Sequence, residues 1–203
     1  MHIVLENIEK KFNDELLFQK VNYTFQTPTK VALLGINGSG KSTLLQIISG
    51  FLSPSKGKVT FIENDIKIEE EEMYGYVAIC APYLELIEEM NLVEFFEYHF
   101  AFKKKLMPIE KMIEYIGLEK SKHKLIEKFS SGMKQRVKLA HAFMSETPIL
   151  LLDEPCTNLD EEGYNLYYKM IKDFTGNRIV MVASNDEKET HFCEEKYFIK
   201  DFK

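Results

Sequence analysis

The sequence predicts an α/β domain built around a mostly parallel sheet, and three observations carry that expectation. An apolar run, Lys30 to Leu34, is followed at once by glycines and then by a helical pattern, Lys41 to Ser49. The last third alternates apolar strand-like runs with helices, which implies parallel pairing through right-handed crossovers. The first third is otherwise rich in short β-like segments, and a long helical stretch separates the two.

In chain order, Ile3 to Leu5 and Val21 to Phe25 read as short strands, and Lys30 to Leu34 suits a strand buried on both faces. Gly50 ends the helix that begins at Lys41. Ser53-Pro54-Ser55-Lys56-Gly57 is turn chemistry leading into a hairpin-like segment, Lys58 to Ile62. The acid run Glu69 to Glu72 reads as a solvated loop or helix start. From Glu88 to Phe129 the period turns helical: Leu92, Phe95, Phe96, His99 and Phe100 recur three and four apart, and Pro108 opens a further segment through Ile109, Met112, Ile113 and Ile116. This stretch reads as a helical insert. After Gly132 come a helix to about Met144, a strand Ile149 to Leu152, a helix Glu161 to Phe174, a strand Arg178 to Val182, and a short helix with a final strand.

Composition narrows the class. The chain has 203 residues, 45% hydrophobic and 29% charged, which is globular and excludes a disordered tail, a collagen-like fibre and a disulfide mini-protein. A net charge of −6 disfavours nucleic-acid phosphates, so no nucleic-acid partner is expected. No apolar run approaches the ~20 residues of a membrane span, and the N-terminus lacks the pattern of a secretory signal. Cys80, Cys156 and Cys193 share no ligand spacing, which fits a cytosolic chain with reduced thiols.

The chemistry lies in two motifs. Gly35-Ile36-Asn37-Gly38-Ser39-Gly40-Lys41-Ser42 fits the phosphate-binding pattern G-x-x-x-x-G-K-[ST], after a buried strand and before a helix. Glycines let successive N–H groups face one anion, and the helix aims its positive dipole end at the same point. Asn37, Gly38, Ser39, Gly40, Lys41, Ser42 and Thr43 are therefore the expected nucleotide-binding residues, with Lys41 on the β- and γ-phosphates and the Ser42 hydroxyl on Mg²⁺. The second motif, Ile149 to Glu154, is a buried strand delivering two carboxylates at its C-terminal end, where parallel sheets bind ligands. Asp153 is the expected Mg²⁺ acid. Glu154, pointing the other way, is placed to take a proton from an attacking water. Together they indicate a P-loop NTPase core that hydrolyses a nucleoside triphosphate with Mg²⁺.

Phe129-Ser130-Ser131-Gly132-Met133-Lys134-Gln135-Arg136 resembles the L-S-G-G-Q signature, with its trailing Q-R, of ABC-type ATPases, and Asp153-Glu154-Pro155 through Thr157-Asn158-Leu159-Asp160 resembles that family's D-E-P-x-[ST]-x-L-D run. The resemblance covers the whole chain. It implies the ABC ATPase fold: a core over residues 1–82 and 137–203 with an N-terminal antiparallel β part, and a helical insert over 83–136 that carries the signature. It also implies a second ATPase subunit packed head to tail, a homodimer in preference to a heterodimer, so that Ser130 and the Gly132 N–H contact the γ-phosphate in trans. Phe12 lies where the family stacks an aromatic on adenine; the alternative is a core residue. The implied partners are separately encoded transmembrane subunits, with the chain peripheral at the inner face of the cell membrane.

Departures from the family pattern set expectations of their own. Ile79-Cys80-Ala81-Pro82-Tyr83 has no Gln where the family places one, and Asn185 stands at the switch His. Asn donates a neutral hydrogen bond but carries neither positive charge nor a transferable proton. His191 reads as a surface residue. Ser131 replaces a signature Gly and adds a Cβ where backbone approach is close. Hydrolysis is thus expected to be retained but slow, driving a transporter; the alternative is a slowed nucleotide-gated switch or a degenerate half of a heterodimer. Nucleic-acid and ribosome ATPases of this kind usually carry a long coiled-coil insertion or two fused ATPase domains, and a small-molecule kinase leaves Phe129 to Gln135 unexplained.

Overall fold

Strand β1 (His2–Phe12) pairs antiparallel with β2 (Glu15–Gln26) on one edge and with β4 (Lys56–Glu63) on the other. With β5 (Ile66–Ile68) these form a four-stranded sheet in the order β2-β1-β4-β5. A computed structural model provides this description, for residues 1–13 and 15–202. Both β1 and β2 run well beyond the segments their period predicts. Burial along β1 alternates through Ile3 and Leu5, then resumes at Ile8 and Lys10 after a register shift around Asn7, whose φ is +52°. A bulge resets the pleat there, so a strict period of two loses the strand. Gly57 stands against the same irregularity: a Cβ on it would lie 2.4 Å from the Glu6 carbonyl oxygen and 2.5 Å from that of Asn7, and its φ is +85°. Between β4 and β5, Asn64 and Asp65 both take positive φ, the geometry of a two-residue hairpin turn.

The second sheet holds β3 (Thr29–Leu34), β6 (Val77–Cys80), β7 (Ile149–Asp153), β8 (Ile179–Ala183) and β9 (Glu195–Phe198) in the order β6-β7-β8-β3-β9. The pairs β7–β8, β8–β3 and β3–β9 are parallel, as the alternation of strands and helices predicts. Every residue of β7 and β8 is buried, which is why both read as continuous apolar runs. Helix α1 (Lys41–Ile48) buries Leu44, Leu45, Ile47 and Ile48 in the same core. The acid run forms a 3-10 turn, Glu70–Gly75. The two sheets and α1 belong to one unit, comprising Met1–Ile79, Pro148–Glu154 and the chain from Asn177 onward.

The other unit, Cys80–Thr147 and Pro155–Gly176, is helical. Its helices are α2 (Leu92–Phe102), α3 (Ile109–Tyr115), α4 (Ser131–Phe143) and α5 (Glu161–Phe174). Asn91 caps α2 in a reciprocal box with Glu94, Ser130 caps α4, and Asp160 caps α5 by accepting from the Gly163 N–H at 2.9 Å. On α2, Phe95, Phe96 and Phe100 are buried, whereas Tyr98 and Phe102 are exposed. Beside them His99 and His141 lie with ring centroids 4.8 Å apart, and His99 Nε2 meets Ser145 Oγ at 3.3 Å. Burial, with Lys103 nearby, pushes His99 down to about 4. Burial also holds His141 well below the ordinary imidazole range, with His99, Lys103 and Lys138 adding repulsion. Among the described residues no helix is long and apolar enough to cross a membrane.

Two predictions test this fold. Leu150→Ala, at the second position of β7, is expected to cost about 2–5 kcal/mol in urea denaturation, because the closely packed sheet cannot collapse onto the space left. The histidine pair sets an acid limit. Both rings are neutral in the fold while the unfolded chain protonates them near ~6.5, so stability falls as pH drops from there toward about 4. Denaturation midpoints at neutral and mildly acidic pH measure that slope, which His99→Gln is expected to reduce; an unchanged slope would contradict the assignment.

Candidate functional site

Between β3 and α1 the chain turns through residues 35–40, and this turn builds one side of a pocket of ≈ 360 Å³ lined by Phe12, Glu15, Leu17, residues 37–43 and Glu154. Gly40, the residue before α1, has φ +109°, and a Cβ there would come within 2.9 Å of the Leu17 side chain. Only glycine lets the turn close against β2 at that point. The Lys41 ammonium, almost fully buried, donates to the carbonyl oxygens of Gly35 at 2.7 Å and Ile36 at 3.4 Å. The Ser39 Oγ is buried with no hydrogen-bond partner. A helix N-terminus and a lysine meet at this one cavity, which makes it a candidate anion cradle.

The end of β7 supplies the acids. Asp153 is 2% exposed and accepts a hydrogen bond from the Ser42 hydroxyl, yet its Oδ1 has no hydrogen-bond partner. Burial pushes this carboxyl above the ordinary aspartate range. The Ser42 hydrogen bond pulls it back, the Glu154 charge pushes it up again, and Lys41 pulls it down. A buried carboxylate oxygen lacking a partner, next to a serine hydroxyl, is a hard oxygen donor set that fits Mg²⁺. Glu154 takes φ +44°, unusual for a residue with a Cβ, while its N–H stays bonded to the Ala183 carbonyl at 2.9 Å. The backbone therefore reverses within one residue. Asp153 stays buried, and Glu154 lines the pocket.

Asn185 lies two residues past β8, and its Nδ2 donates to Asn37 Oδ1 at 2.9 Å, joining the end of β8 to the glycine turn. His191 caps the short helix α6 (Glu187–Thr190), exposed, with Nδ1 3.0 Å from the Lys188 carbonyl oxygen. Phe12 is half exposed and lines the pocket, so it is not a core residue. The structure thus gathers Phe12, residues 37–43 and Glu154 around one cavity, with Asp153 and Asn185 bonded to its turn.

Ser130 and Gly132 belong to the helical unit. Ser130 Oγ accepts from the Met133 N–H at 3.2 Å, and a Cβ at Gly132 would lie 3.2 Å from the Asn158 carbonyl oxygen. Buried Gln135 donates to the Pro155 carbonyl at 2.6 Å and reaches Cys80 Sγ at 3.8 Å, bracing the signature helix against the chain that follows the second motif. Sequence reasoning missed Gln135 as a brace, although the trailing Gln-Arg pair marked it. It also missed Glu15 and Leu17, which no motif marks; pairing between β1 and β2 brings them to the pocket.

Comparisons with known proteins bear on the family and the fold. The family model described as ABC transporter matches residues 18–157, more than half of the chain. The chain is 30% identical over 199 residues to the uncharacterized ABC transporter ATP-binding protein YybJ of Bacillus subtilis, covering 93% of this chain and 88% of that protein. It is 24% identical over 204 residues to human ATP-binding cassette sub-family A member 2, where it covers 97% of itself but spans only 8% of that longer protein. Among solved structures, a dimeric ATP-binding cassette in a post-hydrolysis state with ADP and Pi superposes with a TM-score of 0.79 at 24% identity, over 97% of this chain and 93% of that one. The family model and the Bacillus subtilis relative establish that this protein belongs to the ABC transporter family as an ATP-binding subunit, and the solved cassette shares its fold.

Proposed function

We propose that this chain hydrolyses ATP and, by closing on a second ATPase subunit, drives separately encoded transmembrane partners from the inner face of a membrane. The observation that carries this reading is the buried Asp153 with one oxygen lacking a partner, hydrogen-bonded to Ser42 at the mouth of the anion cradle. Asp153 and Ser42 would hold Mg²⁺, which when bound supplies charge to offset the phosphate oxygens. Residues 37–43 bind and orient the triphosphate through backbone N–H groups, and Lys41 adds its charge at the β- and γ-phosphates. Glu154, turned into the pocket by its backbone, accepts the proton of the attacking water. Phe12 offers a flat apolar face to the base.

Ser130 and Gly132, at the start of α4, would meet the γ-phosphate of a partner subunit, and the dimeric cassette among the structural relatives supports that mode. A homodimer is the simpler assembly, since this chain holds both halves of such a site. Turnover is slow in this reading. Asn185 gives a neutral amide where a charged or proton-transferring group would act faster, and no Gln follows β6. The same two departures favour a second reading, in which the chain is the weaker half of a heterodimer.

Steady-state phosphate release against protein concentration separates these readings. A homodimeric site gives a rate that climbs faster than linearly with protein, and strict linearity at every concentration argues for the second reading. Glu154→Gln is expected to retain ATP binding while losing about a hundredfold or more in turnover. Loss of binding in that variant, with turnover per bound nucleotide unchanged, would remove Glu154 from the chemistry. Asn185→His is expected to raise turnover severalfold; a rate equal to the parent's would show that residue 185 does not limit the reaction.

A further inference from the structure

Beside Phe12, and outside the residues that line the pocket, stands a charge that the phosphate chemistry does not use. Lys10 is 9% exposed at the end of the buried row on β1. Its ammonium donates to the Ser53 carbonyl oxygen at 2.9 Å and sits 5.0 Å from the centroid of the Phe12 ring. The segment that carries Ser53 is itself tied to β1, through the Ser55 N–H to the Glu9 carbonyl at 2.7 Å and the Lys11 N–H to Ser55 Oγ at 3.0 Å. The ammonium is therefore anchored from two elements, and the Phe12 ring lies against it. A cation over an aromatic face is attracted by the ring quadrupole, most strongly when it is shielded from water. Phe12 itself is half exposed at the pocket wall and would otherwise be free to rotate into solvent.

We propose that Lys10 is a positioning residue for the nucleobase: it holds one face of Phe12 and presents the other to the base. The cation also draws the ring's electron density toward itself. The opposite face is left poorer in electrons and stacks better on an electron-rich purine such as adenine. Lys10 acts through Phe12 and touches neither the phosphates nor the reacting atoms. This inference rests on the reading of the pocket as an ATP site, with Phe12 at its base end.

The test separates base recognition from general attraction of anions. Equilibrium affinities are measured for ATP and for inorganic tripolyphosphate, which has the phosphates but no base, on the parent and on Lys10→Met, Lys10→Arg, Phe12→Leu and the double variant Lys10→Met with Phe12→Leu. Lys10→Met is expected to weaken ATP binding roughly three- to tenfold, to leave tripolyphosphate binding unchanged, and to leave turnover at saturating ATP unchanged. Lys10→Arg should restore most of the loss, and Lys10→Met should add nothing once Phe12 is Leu. Equal weakening of both ligands would mean that the charge merely attracts phosphate, and an effect that persists beside Phe12→Leu would mean that Lys10 does not act through the ring; either overturns the proposal. A parent that binds tripolyphosphate but not ATP removes the base subsite alone. One that binds neither removes the ATP-site reading and this inference with it.

Discussion

Of three adjacent parallel strands, β7 and β8 are buried throughout and β3 is buried at Val31, Ala32 and Leu33, and that burial dictates where polar chemistry can stand. Their backbone groups are satisfied sideways by one another, so their side chains are free to be almost entirely apolar. Hydrogen-bonding and charged groups can then appear only where the strands stop. The ladder runs one residue past each end, with the Glu154 N–H on the Ala183 carbonyl and the Ser184 N–H on the Leu33 carbonyl. Asp153, Glu154, the phosphate turn and Asn185 thus open from the same edge of one sheet.

This is also why so much was legible in the sequence. The glycine turn is marked by spacing, because its backbone must take conformations that side chains resist. The run of apolar residues ending in Asp153 and Glu154 is marked by the contrast between a dry strand and its charged end. What stayed hidden depends on pairing across the chain. Glu15 and Leu17 reach the pocket through the register between β1 and β2, and the bulge at Asn7 broke the alternation that would have shown β1 at full length. The brace from Gln135 to the Pro155 carbonyl spans 20 residues, so no local pattern announces it. On α2 the helical period correctly placed Phe95, Phe96 and Phe100 together, yet it could not tell that Tyr98 and Phe102 remain outside.

The two carboxylates at the end of β7 illustrate how adjacent residues of like charge come to differ. Asp153 is buried, and the Ser42 hydroxyl and the Lys41 charge offset part of the penalty that burial imposes on its charge. Glu154 lines the pocket instead, with its backbone in the left-handed region and its N–H bonded to β8. A single step along the backbone thus separates a buried acid from a pocket-lining one.

The Lys41 ammonium has a further consequence for the turn that carries it. It already has two carbonyl partners, from Gly35 and Ile36, within that turn. An ammonium has three N–H donors, so these two bonds leave one for another partner. The lysine thereby closes its own loop with two donors and keeps the third in reserve. A shorter or uncharged side chain at this position would loosen the loop as well as remove the charge.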